Sequence, residues 1–113
     1  MNAAPTAIMT GADLSRAVLF GASLRQADLS LSVMNRTRFS NTDMRDVEAY
    51  GGVFSGSNFS RANLTNASFV GAYLEGASFA GATLSGTNLS GAQLARATGL
   101  TLAQLNRACG DGS

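Results

Sequence analysis

A large apolar residue returns every five positions through most of this chain. From Met9 the series runs Leu14, Leu19, Leu24, Leu29, Met34, Phe39, Met44, Ala49, Phe54, Phe59, Leu64, Phe69, Leu74, Phe79, Leu84, Leu89 and Leu94. Seventeen of these eighteen positions are Leu, Phe or Met, although those types fill only about a fifth of the chain. Two residues earlier the position is Ala, Ser, Thr or Gly in every repeat except at Val47. The residue between is often Asp, Asn, Ser or Thr, as in Ala12-Asp13-Leu14 and Ala62-Asn63-Leu64. The fifth position is Gly in nine repeats, Gly71, Gly76, Gly81, Gly86 and Gly91 among them.

A period of five suits neither a helix, with its 3.6-residue stripe, nor a long strand, which alternates by two. Within each repeat, however, small–polar–large reads as in–out–in, the pattern of a very short strand. The next two residues have corner chemistry. Such a unit cannot bury its apolar residues alone, so successive units must stack to make a core.

The pattern A-(D/N/S)-(L/F)-x-G/x over residues 7–96 resembles the pentapeptide-repeat proteins. The resemblance implies an all-β solenoid, a right-handed quadrilateral β-helix with four pentapeptides per coil and about 4.5 coils here. Residues 20 apart then stack, and the large residues form four internal ladders. One is Leu19, Phe39, Phe59 and Phe79; the others run through Phe54, Leu64 and Phe69. Five of the six Phe residues are thus core rather than a platform for stacking bases. The segment Val47–Gly52 is the least regular. Either Val47 fills the space left by Ala49, or the chain bulges there.

Three parts follow: an N-terminal tail at 1–6, the repeat helix at 7–98, and a C-terminal cap and tail at 99–113. Thr101-Leu102-Ala103-Gln104 matches a capping box and predicts a short helix over 102–109. Leu102, Leu105 and Cys109 share one face of that helix and are suited to cover the last coil. Some proteins of the resembled family dimerise through such a cap, so a homodimer through an end of the rod is one expected assembly. Ile8, Val18, Phe20 and Leu31 occupy outward positions in or near the first coil. Together with Leu102 and Leu105 they are candidate end contacts, awaiting the tail or another chain.

The chain offers little for catalysis. It has no His, no Trp and one Cys, so neither an intrachain disulfide nor a Cys/His metal site is available. The glycines recur by five and serve corners, not a phosphate cradle. Convex coil faces without insertion loops lack the concavity that catalysis needs. The reading is therefore not an enzyme, with no cofactor and no metal. The N-terminus lacks the basic start and apolar run of a secretory signal, and no segment approaches the roughly 20 apolar residues of a membrane span. A cytoplasmic protein without membrane contact is expected.

Surface columns carry the functional expectations. Val33, Val53 and Tyr73 fall in an outward slot that elsewhere holds Asp, Asn or Ser, and form the candidate interaction face. The other reading of that column is lattice packing of β-branched residues. A non-catalytic interaction or scaffold module with an unknown protein partner leads. The alternative is a DNA mimic that binds a type II topoisomerase, as the resemblance implies for some members. That role demands a continuous negative stripe. Eight Arg against seven acids give a net charge of +1, which favours neither a mimic nor a nucleic-acid binder. Arg16, Arg36 and Arg96 share a column, but Gly56 and Gly76 interrupt it, so no nucleic acid is expected.

Overall fold

The computed structural model describes residues 8–101. The outward residue of each repeat forms a parallel β-bridge with the residue 20 further on, from Ile8↔Asp28 to Ser78↔Thr98. Each pentapeptide is thus one side of a four-sided coil. The body is 31 Å long and 19 Å across in both transverse directions, a rod of square section.

Four columns of bridged residues define the sides. Ile8, Asp28, Glu48, Ser68 and Asn88 form the first; Asp13, Val33, Val53, Tyr73 and Gln93 the second. Val18, Arg38, Asn58, Ser78 and Thr98 form the third; Ser23, Asp43, Asn63 and Thr83 the fourth. We call these the Asp28, Val53, Asn58 and Asn63 sides.

The hydrogen bonding explains why five residues suffice. On the Asn58 side, Asn58 N–H donates to the Thr37 carbonyl (3.0 Å), Phe39 N–H to the Asn58 carbonyl (2.7 Å) and Asn41 N–H to the Ser60 carbonyl (3.0 Å). Thr42 N–H then closes the turn by donating to the Phe39 carbonyl at 3.1 Å. Each side therefore makes three bonds between coils and one within its corner. The first turn residue's N–H takes no part in this ladder, and short polar side chains supply its acceptor. Asp13, Asp28, Asp43, Asn58, Asn63 and Asn88 each accept the N–H two residues on, at 2.9–3.3 Å. This is the physical reason for Asp or Asn before the large apolar residue.

Every corner from Gly11 to Arg96 places its second turn residue at positive φ, as a type II turn requires. Nine of these eighteen positions are Gly; the rest include Arg16, Gln26, Leu31, Arg36 and Arg61. Asn and Asp tolerate this region better than the others.

The interior is an apolar column. Phe39, Phe59 and Phe79 stack with centroids 4.9 and 5.2 Å apart and planes within 7°. Phe54 and Phe69 meet Phe59 obliquely or edge-on, at 5.9 and 5.8 Å. Such stacked and edge-on contacts are the favoured aromatic geometries. Ser32 and Thr42 donate their hydroxyls to carbonyls of their own coil, both at 2.6 Å. Thr37, Ser57 and Thr87 reach the coil before, at 3.1, 2.7 and 2.7 Å. Among the described residues no buried side-chain N or O lacks a partner.

Val47–Gly52 carries no bulge. Asp28↔Glu48↔Ser68 stays in register, and Val47 and Ala49 are both fully buried. Gly52 is required by its neighbour, since a β-carbon there would lie 2.5 Å from Cε2 of Phe54. The tail at 1–6 and the helix expected over 102–109, with Leu102, Leu105 and Cys109, lie outside the described residues. Among the described residues, no helix is long and apolar enough to cross a membrane.

Candidate interaction face

The second side of the rod departs most from a polar surface. Val33, Val53 and Tyr73 are consecutive rungs of one bridge column. The ladder holds them at the interstrand spacing of about 4.8 Å. Tyr73 is 46% exposed, and both valines are half-buried.

The corner leading into this side extends the patch. Tyr50 and Val70 stand at successive first turn positions there, and Leu31 at a second turn position one coil earlier. Leu31 and Tyr50 are 56% and 57% exposed. Leu31 thus belongs with Tyr50 beside Val33 and Val53. The sequence pattern grouped it instead with Ile8, Val18 and Phe20. Those three lie elsewhere: Ile8 on the Asp28 side, Val18 on the Asn58 side, and Phe20 at the corner after it. The signal that joins Leu31, Tyr50 and Val70 is modular. Positions that leave a remainder of 10 or 11 after division by 20 share this corner.

The far corner of the Val53 side is charged. Arg16 and Arg36 project from its second turn positions, and Glu75 from a first turn position two coils beyond Asn35. Gly56 leaves the floor open, and a shallow groove of 610 Å³ forms between Arg16, Asn35, Arg36, Ser55 and Glu75. The stem of Arg36 leans over Gly56, with its Cγ 3.3 Å from where a β-carbon would stand. Ser55 gives Glu75 a long hydrogen bond of 3.4 Å. Arg36 and Glu75 form no ion pair with each other. Among the described residues the ion pair is Arg45–Asp43 on the Asn63 side, at 2.7 Å.

Acidic groups are scattered. Asp28 and Glu48 occupy the Asp28 side, Asp13 the Val53 side, and Asp43 the Asn63 side. The Ser30 backbone N–H and hydroxyl hold the Asp28 carboxyl below its usual range. The Arg45 guanidinium does the same for Asp43, bonding both of its oxygens at 2.9 and 2.7 Å. Among the described residues no group of three His, Cys, Asp or Glu side chains is placed to hold a metal.

Comparison with known proteins accords with this geometry. The fold is similar to HetL, a pentapeptide repeat protein involved in heterocyst differentiation regulation from the cyanobacterium Nostoc sp. strain PCC 7120. The two are 28% identical with a TM-score of 0.53, over 99% of this chain and 56% of HetL. QnrB1, a plasmid-mediated fluoroquinolone resistance protein, is 21% identical with a TM-score of 0.56, over 87% of this chain and 65% of its own. The chain thus spans less than two thirds of either protein. These likenesses imply the right-handed quadrilateral β-helix. No match was found among curated proteins. The sequence model described as pentapeptide repeats matches in eight copies, across residues 12–48, 49–79, 57–96 and 67–109. With its five-residue register carried into bridged coils, the chain belongs to the pentapeptide-repeat family.

Proposed function

We infer that this protein is a non-catalytic interaction module, a rod of about 4.5 coils that presents one flat apolar side to a protein partner. The observation that carries the reading is the continuous surface of Leu31, Val33, Tyr50, Val53, Val70 and Tyr73. A solvated side would have polar residues in these slots, as the Asn63 side does with Ser23, Asp43, Asn63 and Thr83. Contiguous exposed apolar surface of this kind marks contact sites. Aromatic anchors such as Tyr50 and Tyr73 are typical centres of binding energy.

The alternative reading, a DNA mimic acting on a type II topoisomerase, draws on the likeness in fold to QnrB1. It calls for a column of negative charge. Asp28 and Glu48 supply two adjacent acids, flanked by Ile8 and Ser68, while Arg45 neutralises Asp43 on another side.

The deciding experiment is affinity capture from the host lysate with wild type and Val53→Glu/Tyr73→Glu, each captured protein being identified. A partner held by wild type and lost by the folded variant supports the module. Equal capture by both sinks the assignment to this side. A topoisomerase subunit retained by both, and lost on Asp28→Lys/Glu48→Lys, favours the mimic.

A further inference from the structure

The Val53 side is self-complementary about its own middle rung. Its column reads Asp13, Val33, Val53, Tyr73 and Gln93. A two-fold axis through Val53, perpendicular to the rod and parallel to the strands, exchanges Val33 with Tyr73 and Asp13 with Gln93. The same axis maps each corner onto itself with its order reversed. At the charged corner, Arg36 lies one coil before Ser55–Gly56 and Glu75 one coil after. The axis therefore brings Arg36 of one copy against Glu75 of the other. At the apolar corner it sets Tyr50 beside Tyr50, and Leu31 beside Val70. These opposed pairs are apolar with apolar, polar with acid, or cation with anion.

We propose that the occupant of this side is a second copy of the chain, docked antiparallel about a two-fold axis at Val53. The proposal rests on the reading of the Val53 side as an interaction face and names its partner. Isologous contacts require such self-complementarity, in which one residue meets another and the reverse. The strands of the two sides run along a common line, so the sides stack as aligned sheets about 10 Å apart. The unpaired Arg36 and Glu75 select the orientation. A parallel arrangement, with the axis along the rod, sets Arg36 against the Tyr50 corner and gives neither charge an opposite charge across the seam. One opposition is unfavourable: Arg16 meets Arg96 at the exposed rim, where salt screens the pair. A side this narrow gives a contact near the small end of stable interfaces, about 1,200 Å² in total. The dimer is therefore concentration-dependent.

The test uses the full chain. Sedimentation equilibrium from about 1 μM to about 1 mM is expected to show a monomer–dimer equilibrium. Arg36→Glu and Glu75→Arg each weaken it by about tenfold, and the double reversal restores it to within about threefold. In a Cys109→Ser background, oxidised Val53→Cys cross-links to itself and Asn63→Cys, on the opposite side, does not. A monomer throughout overturns the proposal. So does a dimer that ignores both charge reversals, even if it cross-links at position 53, because that result fits the parallel arrangement. A monomer whose lysate partner is still lost on Val53→Glu/Tyr73→Glu removes the second copy but leaves the interaction face. A monomer with no partner lost removes both.

Discussion

Leu31 overhangs Gly51: its Cδ2 sits 2.9 Å from where a β-carbon on Gly51 would stand. Arg36 over Gly56 and Arg61 over Gly81 repeat the arrangement, with Cγ at 3.3 and 3.4 Å. A side chain at positive φ in one coil thus covers the glycine of the next. Two effects then oppose a substitution at Gly51, the backbone conformation and the neighbour above. Gly71 faces only the first, since its β-carbon would meet nothing within 4 Å. Gly71→Ala is expected to cost about 1 kcal/mol and Gly51→Ala about 2 kcal/mol. Urea melts in a Leu31→Ala background check the assignment. The difference should vanish there, and an unchanged difference refutes the overhang.

The converse substitution stabilises. Gln26 holds φ at +64° without the local bonding that suits Asn or Asp to that region. Gln26→Gly is expected to raise stability by up to about 1 kcal/mol, less the extra chain entropy of glycine in the unfolded state. A loss of stability in denaturant melts would show that the Gln26 side chain contributes more than its backbone costs.

The aromatic column sets the largest single-residue effect. Phe59 touches Phe39 and Phe79 face to face, and Phe54 and Phe69 obliquely or edge-on. Phe59→Ala should cost about 3–5 kcal/mol, because the flanking rings are held by their own coils and cannot collapse into the gap. Phe59→Leu should cost less than half of that. Equilibrium unfolding that loses under about 1 kcal/mol for the alanine variant would contradict the ladder.

Acid weakens the rod through two carboxylates. Asp28 and Asp43 ionise more readily in the folded chain than at the ordinary value of 3.8, through hydrogen bonds from Ser30 and Arg45 respectively. A lowered folded pKa means that the stabilisation is complete above the unfolded value and disappears as pH falls through the folded one. The urea midpoint is expected to hold from about pH 7 to pH 5 and to drop below about pH 4. Asp28→Asn/Asp43→Asn should flatten that drop, since the amide oxygen still accepts the turn N–H but no longer titrates. An equally steep drop in the double variant would assign the acid sensitivity to other groups.

Much of this architecture is legible from spacing alone. The large residue every five positions gives the ladders, and 20-residue stacking places Val33, Val53 and Tyr73 on one side, as the bridges show. Other features depend on directions that spacing does not carry. Ser32 bonds within its coil while Ser57 reaches the coil before, although both fill the same slot. Leu31 reads as an end contact because it is apolar and near the start. The 20-residue register puts it at the Tyr50 corner, but only the turn conformation shows its side chain running along the rod over Gly51. Val47 and Ala49 look like a defect in sequence, yet both side chains are fully buried and the ladder passes through them unbroken.

The two registers in this rod respond differently to a change in length. Five extra residues inserted at a corner restore every small, polar and large slot, so the core and its hydrogen bonds close again. They also turn everything downstream by a quarter revolution, and Tyr73 leaves the column of Val53 for the next side. Only a gain or loss of twenty residues preserves both registers. Folding therefore tolerates slippage by single repeats, whereas a shared surface is inherited only coil by whole coil.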